Sequence, residues 1–145
     1  MIKTTNELTP QELLTILEAR TAVFVVEQQC PYQEVDEADR SAVHVCIEKE
    51  GELQAYARIL AEGERIHFGR VFVVKKFRGQ QLGRKLVAKT MKEIEKRYPD
   101  QPVSISAQAH LSDFYGSFGF KETSEEYLED GIPHVEMLWQ KPENH

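Results

Sequence analysis

The sequence predicts an α+β fold in which a mixed, mostly antiparallel sheet is flanked by helices. Three observations lead there. From Val43 to Ile59 the apolar residues recur with period two, broken by the turn-forming run Lys49-Glu50-Gly51-Glu52, as in an antiparallel meander. Past Arg78-Gly79 the period becomes helical, and Leu82, Leu86, Val87, Met91, Ile94 and Tyr98 fall on one stripe. The 145 residues hold 41% hydrophobic and 29% charged side chains, an ordinary globular balance for one domain with one core.

Each element has its own signal. Thr9 caps a helix whose first position is Pro10, and Glu12 completes a capping box. That helix is expected to run to about Arg20 or Val23 and to turn Leu13, Leu14, Ile16 and Leu17 inward. The β-branched run Val23-Phe24-Val25-Val26 follows and breaks at Cys30-Pro31, and Glu34 to Asp39 reads as a loop or a short second helix. Strands are expected over 43–48, 53–59 and 66–74, the last two joined by Ala61-Glu62-Gly63-Glu64. The striped helix stops at Pro99. A strand over Val103–Ala107, a short helix over Leu111–Phe118 closed by Gly119, and a last strand through Val135, Met137 and Trp139 complete the order.

Charge and cysteine content narrow the function. A net charge of −6 argues against a nucleic-acid partner, because neutralising phosphates takes a surplus of Lys and Arg. Basic residues concentrate between Arg70 and Arg97, while acidic ones crowd Glu34 to Asp39 and Glu122 to Asp130. A protein that holds a polyanion and approaches a cation is arranged this way. Cys30 and Cys46 stand far apart without a CxxC partner and read as buried small hydrophobes in a reduced compartment. The polar N-terminus and the lack of a long apolar run point to a cytoplasmic location with no membrane partner.

The segment richest in chemistry is Val71-Phe72-Val73-Val74-Lys75-Lys76-Phe77-Arg78-Gly79-Gln80-Gln81-Leu82-Gly83-Arg84. A buried strand passes through a basic, glycine-containing loop into an amphipathic helix. The first turn of a helix offers unpaired N–H groups and a partial positive charge, and small residues let a pyrophosphate approach them. The glycines also suit a plain turn.

This stretch resembles the coenzyme A signature of the GNAT N-acetyltransferase superfamily, [Q/R]-x-x-G-x-[G/A]. Arg78 matches its first position and Gly83 its last, while Gln81 stands where the middle glycine belongs, and a positive φ there would strain a glutamine. A second segment, Gln108 to Phe120, is similar to the family's N-x-x-A-x-x-x-Y-x-x-x-G-F through Tyr115, Gly119 and Phe120, with Gln108 and Leu111 departing from it. Val23 to Gln28, Cys30 to Gln33, Ala55 to Arg58, Gln108 to His110 and Glu129 to His134 resemble the ElaA-like branch. The resemblance spans nearly the whole chain and implies a three-layer GNAT sheet, with acetyl-CoA as cosubstrate and direct transfer to an amine in a ternary complex.

It also implies site residues. Backbone groups of Val71, Phe72 and Val73 would pair with the pantetheine arm and polarise the thioester carbonyl. Arg78, Gly79, Gln80, Gln81, Leu82, Gly83 and Arg84 would cradle the pyrophosphate. Tyr115 matches the tyrosine that protonates the departing thiolate, a role a phenol near pKa 10 can take. The attacking amine must lose a proton, so a base is expected. Glu27, ending an apolar run where desolvation would raise its pKa, is the first candidate, and His110 the second. His134 is the third and is also placed in the substrate site. Asp36 and Glu37, with Asp39, would form an acidic rim attracting a cationic acceptor. Their spacing with His44 fits no metal pattern, so no metal is expected. The acceptor would be an amine-bearing small molecule or peptide, and the end strands of the sheet could support a homodimer. Alternatives are a catalytically inactive CoA-binding regulatory module, and a protein that keeps only the fold.

Overall fold

Period-two alternation folds into the middle of one sheet. In the computed structural model, which describes residues 1–141, β2 (Val43–Lys49), β3 (Glu52–Glu62) and β4 (Arg65–Val73) form the antiparallel meander. β1 (Ile2–Thr4) adds to the free side of β2. β5 (Val103–Gln108) lies parallel to β4 and antiparallel to β8 (Ile132–Trp139), on which β6 (Lys121–Glu122) and β7 (Tyr127–Glu129) also pair. β1, β6 and β7 are too short to show a period, and the sequence does not announce them.

Helices cover both faces. α1 (Pro10–Thr21) starts as its capping box dictates: the Thr9 hydroxyl accepts from the Glu12 N–H at 3.1 Å, and the Glu12 carboxylate accepts from the Thr9 N–H at 2.8 Å. α2 (Leu82–Arg97) buries Leu86, Val87 and Ile94 against Val45, Ala57, Ile59 and Val103. α3 (Ser112–Gly116) places Tyr115 beside Phe68 and Phe120 on that same face. On the opposite face Ile16 and Val23 pack with Cys46, Leu53, Tyr56 and Phe72.

Two expectations for α1 are corrected. Leu14 is 60% exposed, because it stands two residues before buried Ile16, about 200° round the helix. The β-branched run does not break the helix. It continues as a wide π-helical turn, Ala22–Glu27, whose Val23 and Phe24 face the sheet, so tertiary burial overrides local preference.

Charged residues inside that layer hold the acidic segment down. Arg20 is fully buried and grips two carboxylates, with Nε 2.7 Å from Glu34 Oε1 and Nη1 2.7 Å from Asp39 Oδ1. Arg58 on β3 reaches Asp36 at 2.8 Å and Asp39 at 2.9 Å, and Arg70 on β4 reaches Glu34 at 2.6 Å. Three guanidinium groups thus balance three carboxylates. Asp36 is tied into this cluster and Glu37 pairs with Arg40 at 2.9 Å, and neither lines the cleft described below. The expected acidic rim is therefore a clamp, since burial demands that these carboxylates be neutralised within the protein.

Candidate active site

The site grows from a mismatch between two strands. β5 pairs with β4 only at Ile66↔Val103 and His67↔Ser104. Beyond that point β4 stays with β3, through Tyr56↔Phe72 and Ala55↔Val73, while β5 stays with β8 as far as Gln108↔His134. The strands splay, and the β5 side of β4 beyond His67 has no strand partner. A bulge sits at the splay, where β4 takes three steps from Gly69 to Phe72 against two from Arg58 to Tyr56. Its residue Arg70 has φ +50°, a conformation that costs a non-glycine residue about 1–2 kcal/mol. The bonds to Glu34 and the stack of its guanidinium on Tyr32, 5.3 Å from the ring centre, hold it there. The buried ion cluster thereby fixes the curvature of β4.

The gap opens into a cleft of about 360 Å³. Register shows that it pierces the sheet. Phe68, Ile105, Ala107 and Tyr115 line it from the α2–α3 side, whereas Ser104, Ser106, Glu136 and His134 line it from the other.

The strand–loop–helix segment lines the cleft at Val71 and runs on from there into α2. Gln81, the residue before α2, has φ +63° and ψ +19° and gives the helix no side-chain cap. The glutamine therefore adopts the left-handed conformation that a glycine would take without strain. None of the amides from Gly79 to Arg84 donates to a protein acceptor among the described residues. Gly83 packs loosely, since a Cβ there would come no nearer than 3.9 Å to Phe114. Arg78 braces the loop from behind, with Nε 3.0 Å from the Val73 carbonyl and a two-pronged ion pair to Glu27. Arg84 turns toward α3, where its guanidinium stacks on Phe118 at 5.1 Å and meets Ser117 Oγ at 3.2 Å.

The sequence-derived residues divide clearly. Tyr115, 6% exposed, lines the cleft, its hydroxyl makes no hydrogen bond among the described residues, and burial pushes the phenol up to about 12. His134, 8% exposed, lines it too. Its Nδ1–H donates to the Ile132 carbonyl at 2.7 Å, and its Nε2 lies 3.3 Å from Glu129, with the Tyr127 ring stacked alongside. Glu27 behaves opposite to expectation. It is exposed, and the Arg78 guanidinium lowers its pKa instead of desolvation raising it. His110 is exposed on the turn before α3 and does not line the cleft.

Among the described residues no group of three or more His, Cys, Asp or Glu side chains is disposed to hold a metal ion, and no helix is long and apolar enough to cross a membrane. Sequence reasoning missed Arg20, Arg58, Arg70 and Glu34. The available signal was Arg20 four residues after Ile16, a charge on the apolar stripe of α1.

A sheet splayed at its parallel pair, with an open helix N-terminus on one side and a polar cleft running through, defines the acyl-CoA N-acyltransferase fold. The Acetyltransferase (GNAT) domain family matches residues 4–141, and the chain belongs to that family. It is 46% identical over 137 residues to Protein ElaA of Escherichia coli, covering 91% of this chain and 90% of that protein. The crystal structure of Escherichia coli ElaA superposes with a TM-score of 0.92 at 43% identity, covering 97% of each chain. An acyl-CoA N-acyltransferase from Pseudomonas aeruginosa gives 0.93 at 42% identity, covering 96% of this chain and 97% of that one. An aminoglycoside 6'-N-acetyltransferase complexed with coenzyme A shares the fold at a TM-score of 0.74 with 12% identity, covering 100% of this chain and 99% of that one.

Proposed function

We propose that the protein transfers an acetyl group from acetyl-CoA to a primary amine by direct attack within one ternary complex. The observation that carries this reading is the series of amides from Gly79 to Arg84 that donate to no protein acceptor among the described residues, on the chain that leaves β4 where Val71 lines the cleft shared by Tyr115 and His134. Amides aimed outward at a helix N-terminus favour a pyrophosphate. Arg78 positions the loop, and Gly83 keeps its face open. Phe72 pairs with Tyr56, while along the strand-free edge of β4 the N–H groups of Val71 and Val73 point away from β3 and face the pantetheine arm and the thioester oxygen. The family resemblance supports the same assignment, and relatives whose structures are described as acyl-CoA N-acyltransferases are consistent with it.

The chemistry then falls to two side chains. His134 Nε2 takes a proton from the acceptor ammonium or through water, and Glu129 stabilises the imidazolium that results. The neutral amine attacks the thioester carbon, the C–N bond forms, and negative charge gathers on the oxygen against the β4 amides. The C–S bond then breaks, its electron pair leaves with sulfur, and the second proton of the now cationic nitrogen passes through water to the departing thiolate. Tyr115 stays protonated at neutral pH and donates to that sulfur. A free thiolate, with a pKa near 8.5, holds a proton less tightly than this phenol does. The phenol therefore keeps its proton and stabilises the leaving sulfur by a hydrogen bond as the C–S bond breaks.

The test is acetyl-CoA turnover with a panel of amines, following thiol release and the mass of the acceptor. Wild-type protein is expected to add one acetyl group per CoA released. Tyr115→Phe should lower kcat by about 100-fold with little change in acetyl-CoA affinity. Absence of acetylated product from any amine, or full kcat in Tyr115→Phe, overturns the assignment.

A further inference from the structure

The face of the cleft opposite α2 and α3 carries charges that no part of the described protein neutralises. Cross-strand register puts Glu62, His67, Ser104, Ser106, His134 and Glu136 on one face of β3, β4, β5 and β8, and the β7–β8 turn adds Glu129 and Asp130. Among the described residues, no Lys or Arg stands within ion-pair distance of Glu62, Glu129, Asp130 or Glu136. Glu62 and Glu129 stand instead beside histidines, His67 at 3.8 Å from Glu62 and His134 at 3.3 Å from Glu129. The two arginines that do line the cleft, Arg58 and Arg70, are already committed to Asp36, Asp39 and Glu34. Tyr127 holds the wall in shape, bonded to Ser106 and donating to Glu136 at 3.3 Å.

A second observation links this wall to a ligand. Tyr115 is more than nine-tenths buried and has no hydrogen-bond partner. Its hydroxyl is nevertheless not among the sealed, unpartnered polar atoms, so it opens on the cleft. An unpaired buried hydroxyl is costly unless something outside the protein meets it. The two features bound one passage, with a waiting donor at its depth and a negative wall at its mouth.

We infer that the acceptor is a small aliphatic amine carrying at least one further cationic group, of the linear diamine or triamine class. This rests on the N-acyltransferase reading above. The amine that reacts enters beside His134, while the second ammonium remains at the wall of Glu62, Asp130 and Glu136. Carboxylates at the mouth also raise the local concentration of a cation, so capture depends on ionic strength.

The experiment compares butylamine, 1,4-diaminobutane and spermidine as acceptors, with a neutral peptide N-terminus and an amino acid as contrasts. Calorimetry with spermidine is run on protein saturated with CoA. The diamine and triamine are expected to exceed butylamine in kcat/KM by at least about tenfold, and the gap should narrow as salt is raised from about 0.05 to about 0.5 M. Glu62→Gln combined with Glu136→Gln should lower kcat/KM for spermidine by about tenfold, with acetyl-CoA affinity kept as the check on folding. Equal use of butylamine, preference for the peptide or amino acid, a salt-independent ranking, or no heat from spermidine overturns the inference. In those cases acetyl-CoA binding with acetylation of another amine leaves the N-acyltransferase reading standing. Loss of acetyl-CoA binding by the wild-type protein removes both.

Discussion

Replacing Arg20 with methionine tests whether the buried ion cluster governs this structure. Arg20 is fully buried and makes five hydrogen bonds of 2.7–2.9 Å, four to the carboxylates of Glu34 and Asp39 and one to the Glu34 carbonyl. Without it, Arg58 and Arg70 face Glu34, Asp36 and Asp39, and the cluster passes from neutral to one net negative charge. Removing one partner from a buried pair costs about 3–5 kcal/mol, because the remaining charge is neither solvated nor paired. With a urea m-value of about 2 kcal/mol/M, the midpoint should fall by about 1.5–2.5 M. Urea titration followed by circular dichroism reads this directly.

The pH dependence separates charge from lost packing. Asp39 and Asp36 have pKa values held below the ordinary carboxylate range, Asp39 by Arg20 and the Asp36 N–H against the opposing effect of burial, and Asp36 chiefly by Arg58. A depressed carboxylate contributes stability above its unfolded pKa and loses it as pH falls toward the folded one. Wild-type protein therefore loses this contribution below about pH 4, whereas the variant has already lost much of it. The stability gap should close in acid. A loss below about 1 kcal/mol, or a gap that widens as pH falls, would refute the clamp reasoning.

Two further predictions follow from single residues. Gln81→Gly removes about 1–2 kcal/mol of left-handed strain but frees the unfolded chain, so a net gain of about 0.5–1 kcal/mol is expected in thermal unfolding; destabilisation would mean that the glutamine side chain holds the loop. His44 is buried between Tyr56 Oη at 2.6 Å and Thr5 Oγ1 at 2.8 Å, and burial lowers its pKa to about 4. Its folded pKa lies below the unfolded one, so stability is fully present above about pH 6.5 and falls by up to about 3 kcal/mol as pH drops toward 4. His44→Gln should flatten that part of the pH–stability curve.

Much of the fold was legible because burial imposes a period. The meander, α2 with its stop before Pro99, and β5 all lie where one face must be apolar, and the Thr9 capping box starts α1 as read. Local chemistry also exposed the Gly79–Arg84 loop. The π-helical turn after α1 was hidden because β-branched residues there are held by tertiary contacts. The acidic segment was misread for a similar reason. Glu34 and Asp39 look solvated in a run of charges, and only the return of the chain over β3 and β4 brings Arg20, Arg58 and Arg70 to them. Glu27 next to an apolar run suggested desolvation, yet Val26 beside it is 68% exposed and Arg78 reaches Glu27 from across 51 positions. His134 could be proposed from sequence, but its Nδ1–H bond depends on the Ile132 carbonyl at the start of β8, a contact that residue pattern does not reveal.

The central claim is that the amides of Gly79 to Arg84 hold the pyrophosphate of coenzyme A. The most direct measurement is isothermal titration of acetyl-CoA into wild-type protein and into Gly83→Glu. That substitution adds a carboxylate to the first turn of α2, at a position where an added Cβ meets nothing closer than 3.9 Å. The account predicts saturable binding by the wild type and at least about a hundredfold weaker binding by a variant whose urea midpoint is unchanged. Equal affinity in the two proteins would contradict it.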